Sequence, residues 1–303
     1  MDVEIVKSNG QKFRLSDYGV VQDFVVNSID RSVTRESVDG RKGSVDYGTN
    51  IGDRSISVPM IFKASDLHDY AHLRDELFGI LDDDNPFYIR EMRRKDYLQY
   101  EFVDFGQSPT WSNGVENEYV NGKHYKVRLD SSISPEQWDD KPNGDITIEF
   151  VTSGLPFAES IYTTLELHDS GYSATAEKYG LVDNIDDEKV KYRFTENNFT
   201  VYNAGNVTVE PESMYIRIIA SEVTSSTNFT IRNKTTGDEF VLKRASNGSH
   251  VRLIGMVISM GSITNVFRDT NRRFIRLAPG DNQFEVLNGT FTEISFEFKQ
   301  YYK

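Results

Sequence analysis

The chain contains no cysteine and only 2 tryptophans among 303 residues. The absence of cysteine excludes disulfides, thiolate nucleophiles and cysteine-based zinc sites. Basic residues are also scarce, since 34 lysines and arginines stand against 47 aspartates and glutamates, giving a formal net charge of −13. An acidic surface repels phosphate, so the composition predicts no sequence-specific binding of nucleic acid.

Long hydrophobic runs are missing as well. No segment approaches the ~20 apolar residues that a membrane span requires, and Met1–Gly10 has neither the basic nor the apolar region of a signal peptide. We therefore expect a soluble protein without a membrane contact and without an export signal. Phosphate-loop, nucleophile-elbow and dinucleotide motifs are also absent from the sequence, so we expect no catalytic activity and no cofactor.

The sequence is rich in residues that favour strands. Aromatic residues make up 12% of the chain, with 19 Phe and 16 Tyr, and hydrophobic residues make up 38%. Aromatic side chains fit pleated, half-buried surfaces, so this composition favours a mainly β protein. A length of 303 residues suits two domains better than one small core.

The first half of the chain predicts strands around one helix. Apolar residues alternate with polar or smaller ones in three segments, as half-buried strands require; these are Ile56–Phe62, Tyr125–Leu129 and Ile146–Phe150. Pro59 lacks an N–H donor and therefore predicts an edge position for the first of these strands. A helix is expected over about residues 66–81, with Ser65 or Asp66 as N-cap and Leu67 and Leu77 on its buried face.

The second half predicts strands separated by turns. Phe229–Ile231 and Phe240–Leu242 alternate on either side of a polar loop, which indicates a hairpin, and Pro279-Gly280 is one of several turn dipeptides. This spacing is typical of a sandwich or jelly roll. We expect a β domain over 1–155, a junction over 156–195 and a second β domain over 196–303.

Two side-chain patterns invite a catalytic interpretation. His68 and His72 are four residues apart on the expected helix, but Asp69 stands where a zinc-protease motif needs Glu, so they are better explained as surface histidines. Acidic strings such as Asp82–Asp84 are better explained as solvated turns than as paired catalytic acids. We therefore predict neither a metal site nor a catalytic pair.

The densest basic cluster consists of Arg90, Arg93, Arg94 and Lys95. It lies where a strand beginning at Phe87 is expected to turn back. Two interpretations are equally compatible with this position: the tip of a hairpin, or a salt-bridged contact with an acidic neighbouring subunit.

The most specific pattern is the segment Val38–Phe62, in which four glycines interrupt a strand-like sequence. Glycines at this spacing predict turns or bulges that need positive φ. The strings Gly40-Arg41-Lys42-Gly43, Val45-Asp46-Tyr47-Gly48 and Arg54-Ser55-Ile56-Ser57-Val58 resemble, in order, three parts of the N-terminal region of the distal tail proteins of long-tailed siphophages.

The resemblance continues to the end of the chain. Ile146–Phe150 and the string Leu155–Ser160 are similar to the closing part of that family's first domain. Asn203–Asn206 and Leu277–Phe284 resemble two turns of its galectin-like second domain. The resemblance implies an N-terminal β-sandwich or split-barrel domain with one α-helix, followed by a galectin-like, jelly-roll-like β-sandwich.

The family's function implies a structural hub at the distal end of the tail. The expected partners are further copies of the chain in a hexameric ring, the major tail or tube protein, the tail-associated lysin or tail-fibre hub, and receptor-binding or baseplate proteins. The expected location is the virion tail tip, after assembly in the host cytoplasm. Candidate residues for the ring contact or its structural turns are Gly40, Arg41, Gly43, Asp46, Tyr47, Gly48, Arg54 and Pro59. Pro279, Gly280 and Asn282 are the candidate turn of the second domain.

Two alternatives remain at this stage. Galectin-like and jelly-roll domains often bind sugars, so a carbohydrate-binding module that contacts the host cell wall is the second interpretation. Its only support is that His250 and Arg252 alternate on an expected strand. The second domain has no tryptophan to form an aromatic platform for a sugar, because Trp111 and Trp138 both precede it. A secreted glycosidase or adhesin is the third.

Overall fold

The computed structural model describes residues 1–93 and 121–303. The described chain is mainly β and its strands pair antiparallel, so the predicted fold class is confirmed. It divides into two compact units: the first comprises Met1–Pro156 and Glu177–Gly180, and the second comprises Phe157–Ala176 and Leu181–Lys303.

The first unit contains a large antiparallel sheet, one long helix and a separate hairpin. Its elements are β1 (Asp2–Val6), β2 (Lys12–Arg14), β3 (Gly19–Val21), β4 (Val25–Val26), β5 (Arg31–Ser37), β6 (Ser44–Ile51), β7 (Ser55–Lys63), α1 (Asp69–Leu81), β8 (Phe87–Met92), β9 (Lys123–Leu129), β10 (Glu136–Gln137) and β11 (Asn143–Thr152). The sheet order is β2-β1-β8-β9-β11-β7-β3, with β4 also on β7 and β10 on β11. Strands β5 and β6 form a two-stranded sheet of their own.

The core of the first unit lies on one face of the sheet. Ile56, Val58, Met60 and Phe62 of β7 are buried, as are the alternating apolar residues of β11, so these two sequence predictions are confirmed. Full burial of one such side chain contributes roughly 1.5–3 kcal/mol to the free energy of folding. The buried side of α1 packs into the same core. This core stabilises the large sheet, to which the β5–β6 hairpin is connected through β4 and β7.

Helix α1 begins three residues later than the sequence predicts. Its first backbone N–H groups still use Asp66, because one carboxylate oxygen of Asp66 accepts from the N–H of both His68 and Asp69 at 2.8 Å. The prediction that Leu67 lies on the buried face was wrong, because it precedes the first helical turn and is 53% exposed.

Strand β7 is not the edge strand that Pro59 predicted. It pairs with β11 on one side and with β3 and β4 on the other. The carbonyl of Pro59 accepts from the N–H of Gln22, at the break between β3 and β4. In an antiparallel pair the N–H and C=O of one residue point to the same neighbour. The missing donor of Pro59 therefore faces a gap between two short strands, and no regular ladder bond is lost.

The second unit is a β-sandwich. Its elements are β12 (Ala158–Ser160), α2 (Thr164–Ser170), α3 (Tyr172–Tyr179, whose last residues count with the first unit), β13 (Arg193–Phe194), β14 (Asn198–Asn203), β15 (Ile216–Ser225), β16 (Phe229–Asn233), β17 (Asp238–Leu242), β18 (Ser246–Ile254), β19 (Val257–Met260), β20 (Gly280–Leu287), β21 (Glu293–Phe298) and β22 (Tyr301–Tyr302). One sheet has the order β13-β21-β15-β18-β19 and the other β14-β20-β16-β17, while β12 pairs with β22.

Aromatic rings fill the space between the two sheets. On one sheet the rings of Phe199 and Phe284 stack with their centres 5.4 Å apart. The ring centre of Phe296, on the other sheet, lies 4.8 Å from that of Phe284. The predicted hairpin is confirmed, because β16 and β17 pair with Ile231 opposite Phe240. The predicted junction 156–195 contains regular structure, including α2, whose first turn is a capping box made by Thr163 and Glu166.

Candidate assembly surface

Strands β5 and β6 form a β-hairpin that we call the arm, residues Arg31–Ile51. They pair from Arg31 opposite Ile51 to Ser37 opposite Ser44. The connection between them turns at Gly40 and Gly43, which have φ of +81° and +90°. Because these angles favour glycine, the Gly-Arg-x-Gly string is explained by the tip of the arm. Arg41 lies in this tip, and its N–H donates to the carbonyl of Val38.

The second glycine string forms a β-bulge in the arm. The register passes from Thr34 opposite Gly48 to Arg35 opposite Asp46, which leaves Tyr47 as the extra residue. Gly48 has a φ of +117°, and its N–H donates to the Asp46 carboxylate at 2.9 Å. The bulge presents the Tyr47 side chain, which is 62% exposed, to solvent.

The arm has almost no support from the rest of its unit. Every residue from 31 to 51 is exposed except Val45, which is half-buried. One face of the arm carries Val33, opposite Thr49, together with Ile51, which is 56% exposed. An isolated two-stranded hairpin is marginally stable in water, and its free edges invite pairing with another chain. The arm is therefore the best candidate for a contact with a partner.

The root of the arm is held by two backbone hydrogen bonds. The Gly52 N–H donates to the Asp30 carbonyl and the Asp30 N–H donates to the Asp53 carbonyl, both at 2.9 Å. Next in the chain, Arg54 is fixed by its backbone, because its N–H donates to the Thr152 hydroxyl and its carbonyl accepts from the Thr152 N–H.

The guanidinium of Arg54 is buried without an ion-pair partner. Arg54 is 5% exposed and lies 5.8 Å from the centre of the Tyr125 ring. Its Nε is buried and has no hydrogen-bond acceptor, and no carboxylate among residues 1–93 and 121–303 forms a salt bridge with its side chain. Burial of a charge without a partner costs free energy of desolvation, so this arginine lowers the stability of the isolated unit.

The basic cluster at residues 90–95 is not one continuous patch. Arg90 is buried, lies 3.5 Å from the Glu4 carboxylate and donates to the carbonyl oxygens of Asn121 and Tyr179. Arg93 is exposed and forms an ion pair with Glu91 at 2.6 Å. Arg94 and Lys95 lie outside the described residues. Arg90 therefore stabilises the interior of the unit, which corrects its assignment to a surface patch.

The second-domain turn is built around a buried asparagine. Asn282 is fully buried, and its side chain accepts from the Ala278 N–H at 2.9 Å and donates to the carbonyls of Ala278 and Gly280. Gly280 has a φ of +83°, and Pro279 precedes it in the same turn. These contacts give the string an architectural role within the second unit.

The remaining sequence candidates do not converge on a reactive centre. The rings of His68 and His72 lie 5.6 Å apart, and no group of three or more possible metal ligands occurs among the described residues. Trp138 donates to the Asp145 carboxylate, and Arg252 donates to the Gly261 carbonyl. No helix of the described part of the chain is long and apolar enough to cross a membrane.

Sequence reasoning missed a second exposed surface on the first unit. Val20 of β3 and Val25 and Val26 of β4 are exposed at the edge of the large sheet, and no other described strand pairs with the outer side of β3 or β4. Val20 also lines a surface depression of about 320 Å³ together with Arg14. The valine pairs were visible in the sequence, but their edge position depends on pairing with residues of β7 that lie 30 or more positions later in the chain.

Comparisons with known proteins point in one direction. Residues 8–152 match the family model of the phage tail protein RIFT-related domain. The crystal structure of the Dit protein (gp 19.1) of SPP1, described as a paradigm of the hub adsorption apparatus in phages that infect Gram-positive hosts, is similar over 98% of both chains, with 14% identity and a TM-score of 0.62. A chain of the phage p2 baseplate in its activated conformation with Sr has 11% identity over 99% of this chain and 97% of its own, with a TM-score of 0.43. No curated protein sequence matches the chain significantly.

The family model and the SPP1 structure cover different lengths of the chain. The family model covers the first unit, which carries the arm, and the SPP1 protein shares the fold of the whole chain. The resemblance in the sequence is thereby confirmed. The first unit of this chain thus matches the RIFT-related domain of phage tail proteins, and the fold of the whole chain is that of the SPP1 Dit protein.

Proposed function

We propose that this protein is the structural hub of a siphophage tail tip and that it forms a ring through its arm. The observation that carries the proposal is the exposure of the arm, in which all residues but Val45 lie in solvent. A hairpin of this kind gains stability only when another chain covers it. Six copies per ring is the number that the resemblance to distal tail proteins implies.

A closed ring needs two different surfaces on each subunit, because a head-to-tail contact joins unlike patches. The arm supplies one surface. The free edge of β3 and β4 supplies the other, since Val20, Val25 and Val26 are exposed beside unpaired backbone groups. An arm strand that added to this edge would pair backbone donors and acceptors of both copies and cover both sets of apolar side chains.

Arg54 fits the same arrangement. It lies at the root of the arm, directly after Asp53, and its buried charge has no carboxylate partner within the described part of the subunit. The chain has an excess of acidic residues, so a carboxylate of the neighbouring copy is available in principle. In the ring, Arg54 would then exchange an unpaired charge for a buried ion pair.

The hub would join the tail tube to the tail-associated lysin or tail-fibre hub and would anchor receptor-binding or baseplate proteins. The SPP1 protein with the same fold is described as a hub of the adsorption apparatus, which supports this role. We propose a non-catalytic protein of the virion tail tip that assembles in the host cytoplasm. The net charge of −13 suits a channel through which DNA passes without binding.

Size measurement of the purified protein tests the proposal. Light scattering after size exclusion should show a closed oligomer, with six copies expected, either alone or after addition of the tail tube protein and the lysin. Negative-stain images should show rings. A protein that stays monomeric under both conditions and is not incorporated into tails would contradict the proposal.

The variant Arg54→Met tests the contribution of the buried charge. We expect the free subunit to keep or raise its unfolding temperature, because the substitution removes an unpaired buried charge. Ring formation should weaken at least about tenfold, which corresponds to ~1.4 kcal/mol per contact. Thermal unfolding and sedimentation at several protein concentrations measure the two effects. Arg54→Lys is the matched control and should retain part of the assembly; a less stable Met variant with normal rings would show that Arg54 serves only the fold.

A further inference from the structure

The second unit carries a concentrated basic surface, formed by Lys243, Arg244, Arg268, Arg272 and Arg273. All five side chains are exposed. Lys243, Arg244 and Arg268 line an open depression of about 380 Å³. This surface belongs to the second unit alone, and its residues are too far apart in the sequence to form a visible motif.

Backbone pairing brings the two parts of this basic surface together. The Asn271 N–H donates to the Val241 carbonyl at 3.0 Å, and the Lys243 N–H donates to the Asp269 carbonyl at 2.7 Å. The side chain of Asn271 also accepts from the Val241 N–H. The segment 267–273 is therefore held antiparallel to the end of β17, with Arg268 beside Lys243 and Arg244 and with Arg272 and Arg273 further along the same segment.

The positive charge of this surface is largely uncompensated. Among the residues that line the depression only Asp269 is acidic, and it forms an ion pair with Arg244 at 3.2 Å. Within the described chain, no carboxylate forms a salt bridge with the side chain of Lys243, Arg268, Arg272 or Arg273. The neighbouring Arg276 does not add to the surface charge, because it binds Asp238 through two hydrogen bonds. Burial opposes ionisation of Asp238, but these bonds outweigh it and lower its pKa.

The composition of the surface distinguishes between two kinds of anionic partner. Protein interfaces have an apolar centre and place their charges at the rim. None of the exposed large hydrophobic side chains of the described residues lies in 243–246 or 266–273. A phosphate polymer, in contrast, is held mainly by charge, and arginine forks match its oxygens. The surface therefore fits a phosphate polymer better than an acidic protein.

One backbone detail supports a role for the charges themselves. Arg272 has a φ of +60°, a left-handed conformation that arginine rarely adopts and that asparagine or glycine adopts more easily. Its N–H donates to the Thr270 hydroxyl at 3.0 Å, which helps to hold this conformation. An arginine at this position is thus explained by its side chain rather than by the turn.

We infer that this basic surface of the second unit binds a phosphate polymer. The polymer would lie across the depression between Lys243, Arg244 and Arg268 and continue along Arg272 and Arg273. Binding would be electrostatic and strongly dependent on salt, and it would require no particular sequence of polymer units. The inference is independent of ring formation, because it concerns residues of the second unit alone.

Fluorescence anisotropy with labelled short-chain inorganic polyphosphate tests the inference on the full chain. We expect binding at low salt, and the logarithm of the binding constant should fall linearly with the logarithm of the salt concentration, with a slope of about −3. Each neutralised phosphate contributes ~0.7 to 0.9 to the magnitude of this slope. The triple variant Arg268→Gln, Arg272→Asn, Arg273→Gln should lose at least about tenfold in affinity and reduce the slope by two or more. Asn at 272 keeps the left-handed backbone.

The control variant Lys191→Gln, Arg252→Gln, Lys303→Gln removes the same charge elsewhere on the second unit and should bind like the unmodified protein. Duplex DNA and poly(glycerol phosphate) as competitors identify the source of the phosphate. Absence of polyphosphate binding, or equal losses in both triple variants, would overturn the inference. Tighter binding of a poly-glutamate peptide of matched charge would also overturn it and indicate an acidic protein partner.

Discussion

Replacement of the arm by a two-residue turn should abolish ring formation and leave the subunit folded. In this variant Asn-Gly joins Asp30 directly to Gly52. The Gly52 N–H already donates to the Asp30 carbonyl, so the shortened chain retains this contact as the hydrogen bond of a β-turn. The described core contains no residue of the arm, and a shorter connection lowers the entropy cost of folding. Unfolding temperature and light scattering measure the two outcomes.

A milder variant separates the arm's shape from its apolar face. Val33→Thr with Ile51→Thr keeps the β propensity of both strands but removes the exposed aliphatic surface. It should weaken the ring without abolishing it. Normal rings from the arm-less protein would show that the arm is not an interface, and an unfolded arm-less protein would show that the arm belongs to the fold of the first unit.

The substitution Asn282→Ala should have the largest effect on the stability of the second unit. The Asn282 side chain bonds Asn233, Ala278 and Gly280 in a fully buried position. Alanine leaves the buried amide of Asn233 and the half-buried backbone groups of Ala278 and Gly280 without these partners, and an unsatisfied buried group costs roughly 1–3 kcal/mol of unfolding free energy. We expect the free energy of unfolding of the second unit to fall by about 3 to 4 kcal/mol and its unfolding temperature to fall by roughly 6–15 °C. Calorimetry measures both quantities.

The adjacent residue Gln283 provides the matched control. Gln283 is exposed, and its backbone N–H, which bonds the Thr235 hydroxyl, is kept in the variant Gln283→Ala. This variant should change the stability by less than about 0.5 kcal/mol. Similar unfolding temperatures for the two alanine variants would mean that the turn tolerates loss of the asparagine and that its backbone alone holds the shape.

The sequence predicts those parts of the fold whose signal is local. Alternation in β7 and β11 and the hairpin of β16 and β17 were predicted correctly, because a half-buried strand shows its buried face in its own residues. Helix α2 was missed although Thr163 and Glu166 carry the spacing of a capping box, which the sequence displays.

The parts that escaped prediction depend on distant residues. Pro59 is tolerated inside the sheet because β3 and β4 break opposite it, and that break lies almost 40 residues earlier in the chain. Arg90 belongs to a basic string but is buried against Glu4. The basic surface of the second unit joins two segments that are more than 20 residues apart. Periodicity and local charge contain none of this information.

The exposed arm also has a consequence for the timing of assembly. In the proposed ring, each subunit completes its fold only when the next one arrives, because the arm gains its packing partner at that moment. Folding of the arm is then coupled to assembly, so the stability of the arm depends on the concentration of subunits. The fraction of subunits in rings would therefore rise steeply above a threshold concentration. A subunit without a neighbour would keep an exposed strand pair that proteases can reach.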